Sequence, residues 1–361
     1  MNQIRILGAV ISFFLATFIE LTGYQTIFLT IVVFMMLYIL SGCYSYYPSG
    51  NKENKKHYYD EILPEVSNFL SNPPIIAPKK ILMPLPDRDF DPTECALAWK
   101  ILKEDYKYEV DFATENGATP KCDQITLKGE GLNFITKIIF NLLDVRVKQK
   151  IVLQAYESME NDINFKSPYS WNMGVLTFSD YDGIWISGGH AQGMRQLLGC
   201  TYLQRQLAEY WELKKPIAAV CHGVLMVARS MDMKDTSKSV LSGRKTTSLV
   251  NYQELIAYNL SSWSHGRLFR TYDETTENEI LRFMYGCNNE QKAKEENNKQ
   301  KFYDEGPFIN KKEFGGKKIG RYGYMVEDGN YLSARWPGDV EILAHRFAQK
   351  LQNNECQIKF C

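Results

Sequence analysis

Apolar and polar positions are arranged in three different ways along this chain. From Ile6 to Asn51 apolar residues dominate and Glu20 is the only charged residue. Two apolar runs lie within this stretch, Ile6 to Ile19 and Tyr24 to Cys43. The second is long enough to cross a hydrocarbon layer, which takes about 20 helical residues. One signal-anchor helix and a two-helix hairpin both fit these lengths. Residues 44–78 form a linker of mixed charge, and Pro73, Pro74 and Pro78 keep a regular helix out of its end.

Beyond the linker the pattern changes to short apolar strands alternating with amphipathic helices. Lys80 to Leu85 reads as a buried strand. Asp91 to Lys103 reads as a helix, with Asp91 as N-cap, Pro92 in the first turn, and Ala96, Trp99, Ile101 and Leu102 as its apolar stripe. Glu109 to Thr114, Gly183 to Ser187 and Pro216 to Val220 are further strands, and Tyr202 to Trp211 is a helix. A helix running to about Met231 follows the last of these strands. Tyr324 to Glu327 and Tyr331 to Ala334 form a hairpin around Asp328-Gly329, and Val340 to Leu351 is a closing helix. Such alternation implies right-handed crossovers and a mainly parallel sheet covered on both faces. The expected fold is therefore an α/β, flavodoxin-like three-layer sandwich over residues 79–352. Two segments stand outside the repeat: an insertion at 117–170 with helical patterning at Phe134 to Leu143, and a polar run at 288–301 that reads as a solvated loop.

Composition adds constraints. The 42 basic and 42 acidic residues of the 361 cancel, so nothing electrostatic points to nucleic acid. Eight cysteines are scattered without Cys-x-x-Cys pairs or zinc-type His spacing, which reads as reduced thiols with no metal site. Arg5 flanks one end of the apolar region and Lys52, Lys55 and Lys56 flank the other. Both anchor topologies then leave the main domain on the cytosolic side. Cys43 is juxtamembrane in either, a weak signal for palmitoylation. Asn259-Leu260-Ser261 is a formal glycosylation sequon, which a cytosolic domain leaves unmodified.

The chemistry-bearing segment is Ile217-Ala218-Ala219-Val220-Cys221-His222-Gly223. A buried strand ends, a nucleophilic residue follows, and a helix begins at once, with small residues at Ala219 and Gly223. That is the pattern of a nucleophile elbow with sulfur as the nucleophile. A tight strained turn requires the small neighbours, and a helix start favours thiolate over thiol. Adjacent side chains on a turn are expected to point apart, so His222 is expected to contribute its backbone amide to an oxyanion hole more readily than its ring as a base. A second strand end supplies a partner loop with Gly188, Gly189 and His190, where glycines allow backbone amides close to a ligand.

Asp182-Gly183-Ile184-Trp185-Ile186-Ser187-Gly188-Gly189-His190, taken with Ala219-Val220-Cys221-His222-Gly223, resembles the ThiJ/PfpI family within the class I glutamine amidotransferase-like superfamily. The resemblance extends over roughly residues 80–350. The segments Gly243 to Thr247, Arg270 to Tyr272 and Val326 to Asp339 are similar to a bacterial amidotransferase-like subset. It implies that Glu94, in Pro92-Thr93-Glu94, hydrogen-bonds the Cys221 sulfur. It also implies His222 acting with an acid as base, with His190, His265 and Asp339 as weaker options. Glutamine amidotransferases carry a late His-x-Glu pair. His345 and Glu341 sit instead in a terminal helix pattern, so glutamine hydrolysis is not expected.

The family includes glyoxalase III-type and deglycase-type enzymes, amide and isonitrile hydrolases, redox sensors and holding chaperones. Fold carries over within such a group; activity does not. The expectation is a membrane-anchored cysteine enzyme acting on a small reactive carbonyl or amide-type substrate through Cys221, without a cofactor. The alternative is a redox sensor or holding chaperone using the same cysteine. The expected partners are a small molecule and, through residues 1–43, a membrane; monomer and homodimer stay open.

Overall fold

The computed structural model describes residues 78–132, 150–172, 174, 176–285, 302–306 and 323–358. The expected anchor at 1–43, nearly all of the linker, the helix at 134–143 and the polar run at 288–301 lie outside the described residues. No helix among the described residues is long and apolar enough to cross a membrane.

The main sheet has seven strands in the order β5-β3-β1-β6-β7-β9-β8. These are β1 (Lys80–Pro84), β3 (Glu109–Thr114), β5 (Tyr169–Ser170), β6 (Gly183–Ile186), β7 (Ile217–Val220), β8 (Met325–Asp328) and β9 (Tyr331–Ala334). Every pairing is parallel except the β8–β9 hairpin at one edge. β2 (Arg88–Phe90) and β4 (Lys121–Cys122) make a separate two-stranded ribbon.

The strands expected from sequence are present with ends shifted by a residue or two, because buried apolar side chains fix the register and the terminal residues do not. Near-continuous burial of β1, β6 and β7 is what a parallel sheet covered on both faces requires.

Helix α1 is built from the contiguous segments Thr93–Leu97, Ala98–Lys100 and Ile101–Asp105, the first and last wound with wide π-type turns. Asp91 caps it as expected: its Oδ1 accepts the amides of Thr93 at 2.8 Å and Glu94 at 3.0 Å. Helix α2 (Lys150–Asn161) packs on α1. Helices α3 (Thr201–Glu212) and α4 (Gly223–Arg229) pack on each other. Helices α5 (Asn251–His265) and α6 (Thr276–Tyr285) follow, and α6 packs on α4. The closing helix α7 (Val340–Ile358) packs on α1, β7 and β9. Trp185 of β6 sits edge-on to Phe347 of α7, with ring centroids 5.8 Å apart.

Two differences from the sequence pattern have physical causes. Residues 150–170, assigned there to an insertion, supply α2 and the edge strand β5; β5 has only two residues, too short to show a period. Periodicity alone does not show α5 and α6, because α5 mixes exposed and half-buried apolar residues around its circumference and the first turn of α6 buries Thr276, Glu277 and Glu279 in place of apolar side chains. His265 is the last residue of α5.

Candidate active site

The chain leaves β1 for β3 and β5 on one side, then returns to build β6, β7 and β9 on the other. The crossover order reverses between β1 and β6, and in such sheets the crevice lies beyond the carboxyl ends of the strands there. Glu94 enters this region from the first turn of α1 after β1, Gly188 and Gly189 from the loop after β6, and Cys221 from the end of β7.

Cys221 has φ +57°, a left-handed conformation that is strained for a residue with a side chain. Its amide is tied to Ala334 O of β9 at 3.0 Å, and α4 begins two residues later. A Cβ on Gly223 would stand 2.5 Å from Ile186 O, so only glycine lets the elbow press against β6. The small residue on this side of the expected motif thus has a steric cause.

His222 departs from the expectation that neighbours point apart. Its Nδ1 lies 3.4 Å from Cys221 Sγ. The left-handed turn at Cys221 folds the thiol back over the start of α4, and the His222 amide also donates toward the sulfur. The expected acid partner is not seen. His222 Nε2 is buried and has no hydrogen-bond partner among the described residues. Burial, then the charges of His190, Arg229 and Arg270, lower the His222 pKa to about 3. The ring is therefore neutral across the physiological range.

Glu94 is fully buried. Its Oε2 accepts the Gly188 amide at 2.7 Å, and its carbonyl is taken by Trp185 Nε1 at 3.1 Å and Ser187 Oγ at 3.2 Å. Losing that carbonyl to the strand is compatible with the wide first turn of α1. The carboxyl also interacts with the Cys221 sulfur. Its second oxygen, Oε1, makes no hydrogen bond of ordinary geometry, so this contact with sulfur is a loose one. Burial first, and then the charge of Asp91, push the Glu94 carboxyl well above the usual carboxylate range. Burial also pushes the Cys221 thiol up, and an ionised Glu94 beside it would push it further. Two such acids share one site and titrate together, with burial favouring the protonated form of each.

Gly188 belongs to the expected oxyanion loop, but its amide is committed to Glu94. A Cβ there would meet Glu94 Oε2, His222 N and Val220 O, each at 2.8 Å, so the close approach of three segments requires glycine. Gly188 O in turn accepts the Asp91 amide at 2.9 Å. The residue clamps α1 to the elbow and is not a free donor.

Two residues that sequence reasoning did not place in the site are there. Asp91 was named only as a cap. Burial raises its pKa to about 6, against the opposing effects of the Glu94 amide and the charge of His190, while Asp123 adds to the rise. Asp123 caps Gln124–Lys128, accepting Ile125 N at 2.9 Å and Thr126 Oγ1 at 2.6 Å. Its Oδ2 lies 3.4 Å from His190 Nε2. Burial alone would raise the Asp123 pKa, but His190 and these donors bring it below the usual value. The Asp-x-x-Thr signature could have revealed the cap, not its contact with a histidine 67 residues away.

Of the weaker base options, His265 and Asp339 have partners of their own, as does the late histidine His345. His265 contacts Ser264 Oγ and Gly131 O. His345 contacts Tyr106 OH at 3.1 Å. Asp339 is held by Arg335 Nε at 2.8 Å and Tyr324 N at 2.8 Å. Cys95, Cys122, Cys200 and Cys221 are free thiols.

A protein-family model described as ThiJ/PfpI family-like matches residues 85–291. An uncharacterized protein of Schizosaccharomyces pombe, C14C4.04, is 26% identical over 167 residues, covering 44% of this chain and 58% of that one. The match thus spans little more than half of that relative. Among solved structures, the Rapid Encystment Protein 24 KDa of Francisella tularensis superposes with a TM-score of 0.50 at 14% identity, covering 76% of this chain and 99% of that one. Glyoxalase III of Candida albicans has a TM-score of 0.45 at 17% identity, covering 76% and 96%. The Francisella likeness speaks to fold alone, and the Candida likeness is too low to support an argument.

Proposed function

Since the chain belongs to the ThiJ/PfpI-like family, we propose that it is a cysteine enzyme that adds the Cys221 sulfur to a small reactive carbonyl compound. The observation that carries this reading is the setting of Cys221: a strained elbow, with the His222 ring 3.4 Å from the sulfur and the buried Glu94 carboxyl beside it. Strain at a nucleophile is tolerated where it presents the reacting atom.

The carbonyl class is preferred over amides for a specific reason. Amide cleavage relies on amide donors aimed at the developing oxyanion. Here the Gly188 donor is occupied by Glu94. An aldehyde or ketoaldehyde is electrophilic enough to accept sulfur with less help and has no leaving group to expel. Cys221 is 6% exposed and burial pushes its thiol up, whereas redox-sensor cysteines are solvent-accessible and of low pKa.

The test is consumption of methylglyoxal by the full-length chain, with Cys221→Ala and a panel of small amides alongside. Turnover of the aldehyde that is lost in Cys221→Ala, with the amides untouched, is expected. Equal rates for the two proteins, or turnover of amides alone, overturn the reading.

We also propose that residues 1–43 hold the chain in a membrane with the catalytic part facing the cytosol, supported by the single charge, Glu20, between Arg5 and Lys52. Full-length chain found in the soluble fraction overturns the anchor. A C-terminal tag protected from protease in sealed cytosol-out vesicles overturns the orientation, as does glycan at Asn259.

A further inference from the structure

Pro92 carries no N–H, so the first amides of α1 that need a partner are those of Thr93 and Glu94, and one oxygen takes both. Asp91 Oδ1 accepts Thr93 N at 2.8 Å and Glu94 N at 3.0 Å. Asp91 N donates to Gly188 O at 2.9 Å, and Gly188 N donates to Glu94 Oε2 at 2.7 Å. These bonds close a ring. Asp91 holds the main chain of Glu94, the Glu94 carboxyl holds Gly188, and Gly188 holds Asp91. Asp91 is 4% exposed and Glu94 is fully buried, so water does not compete for the bonds.

The surroundings of the ring are fixed without the Asp91 side chain. Trp185 Nε1 and Ser187 Oγ donate to the Glu94 carbonyl. The loop after β6 is fastened by Gly193 N, which donates to Asp89 Oδ2 at 2.9 Å, and by the His190 ring, stacked on Phe269 with centroids 4.2 Å apart. The elbow lies against Gly188 as well: a Cβ there would stand 2.8 Å from Glu94 Oε2 and 2.8 Å from His222 N. The Glu94 carboxyl meets the Cys221 sulfur only loosely, since Oε1 makes no hydrogen bond of ordinary geometry. A loose contact is sensitive to small displacements. Of the side chains that fix the main chain of Glu94, the Asp91 carboxyl is the one outside β6 and its loop.

We propose that Asp91 is a positioning residue for Cys221: by holding the Glu94 amide, its side-chain oxygen sets where the Glu94 carboxyl stands against the sulfur. This goes beyond capping, which stabilises a helix whatever its side chains touch. It rests on Cys221 as the reacting group, and not on the carbonyl reading of its substrate. Without the acceptor, the first turn of α1 loses its hold and the Glu94 carboxyl leaves the sulfur or ionises beside it. The first change removes the polar partner of the thiol, and the second repels the thiolate. Both slow attack by Cys221.

The experiment uses the full-length chain in detergent and follows alkylation of Cys221 by iodoacetamide at neutral pH, read on the Cys221 peptide by mass spectrometry. It compares Asp91→Asn, Asp91→Gly and Asp91→Ala. All three lack the charge, and only asparagine keeps the acceptor. Glycine at a cap costs a helix little, so Asp91→Gly keeps the comparison open if Asp91→Ala does not fold. The glycine and alanine variants are expected to react about fivefold more slowly than Asp91→Asn, the factor that corresponds to one capping interaction. In a Glu94→Ala background the difference between asparagine and glycine at position 91 is expected to shrink to within about twofold, because Asp91 acts through Glu94. Equal rates for the single variants overturn the proposal. A difference that persists undiminished in the Glu94→Ala background also overturns it, since the cap then acts on the elbow by another route. Methylglyoxal consumption is measured alongside. If wild type and Cys221→Ala consume it equally, the carbonyl reading fails, while the alkylation rates still decide the role of Asp91.

Discussion

The amide of Gly188 donates to Oε2 of Glu94 at 2.7 Å, joining two residues that lie 94 positions apart in the sequence. This bond brings the end of β6 onto the first turn of α1 and holds the carboxyl against the elbow. It also removes one backbone donor from the oxyanion side of the crevice. What can be expected of the site follows from the state of that carboxyl.

Burial favours the protonated form of Glu94, and its ionisation would place a negative charge beside the sulfur and push the thiol further up. In Glu94→Gln the thiol titrates without that repulsion, so alkylation by iodoacetamide is expected to rise at lower pH on the alkaline side than in wild type. Glu94→Ala loses the polar partner as well and is expected to react more slowly than Glu94→Gln at low pH. Second-order alkylation rates for Cys221 across pH check this, and superimposable profiles for all three proteins would refute the pairing.

Asp91 is an acid whose folded pKa, about 6, stands above its unfolded value. The folded state therefore binds more protons than the unfolded state between about pH 4 and 6, and the contribution to stability is present below that window and lost as pH rises through it. Asparagine at this position still accepts the two capping amides and cannot ionise. Asp91→Asn is expected to flatten the fall in unfolding free energy over that window, by an amount on the order of 1–3 kcal/mol. Urea unfolding at several pH values measures it; an unchanged slope would show that Asp91 is not the titrating group.

Cys221 pays a conformational cost at φ +57° that glycine does not. Alanine and glycine both remove the sulfur, so comparing them isolates the backbone. Cys221→Gly is expected to be more stable than Cys221→Ala by about 1 kcal/mol, the reverse of the ordinary order within a helix. Chemical denaturation midpoints of the two variants decide it, and the opposite order would mean that the elbow is not strained.

Arg335 and Asp339 form a buried ion pair, with Arg335 Nε and Nη2 at 2.8 and 3.0 Å from the two carboxylate oxygens. The pair locks the turn between β9 and α7. Removing one partner leaves a buried charge uncompensated, so Asp339→Asn is expected to destabilise the chain by about 3–5 kcal/mol. Thermal or urea unfolding reads the loss, and a change below about 1 kcal/mol would place the pair in contact with solvent.

Sequence alone determined the strand–helix alternation, the position of Cys221 at the end of a strand, and the glycines beside it. These are local properties: burial on both faces produces apolar runs, and a tight elbow demands small neighbours. Asp91 as a cap and Pro92 behind it were likewise legible, because capping acts across three residues. The tertiary structure decided which groups converge. It brought the His222 ring to the sulfur through one left-handed residue, took the Gly188 donor for Glu94, and joined Asp123 to His190 and His190 to Phe269. It also set the charge of each acid, since burial and a neighbour's charge depend on distances across the sheet rather than along the chain. Residue types and spacing record what a segment can do by itself; protonation states and contacts arise when segments far apart in sequence exclude water together.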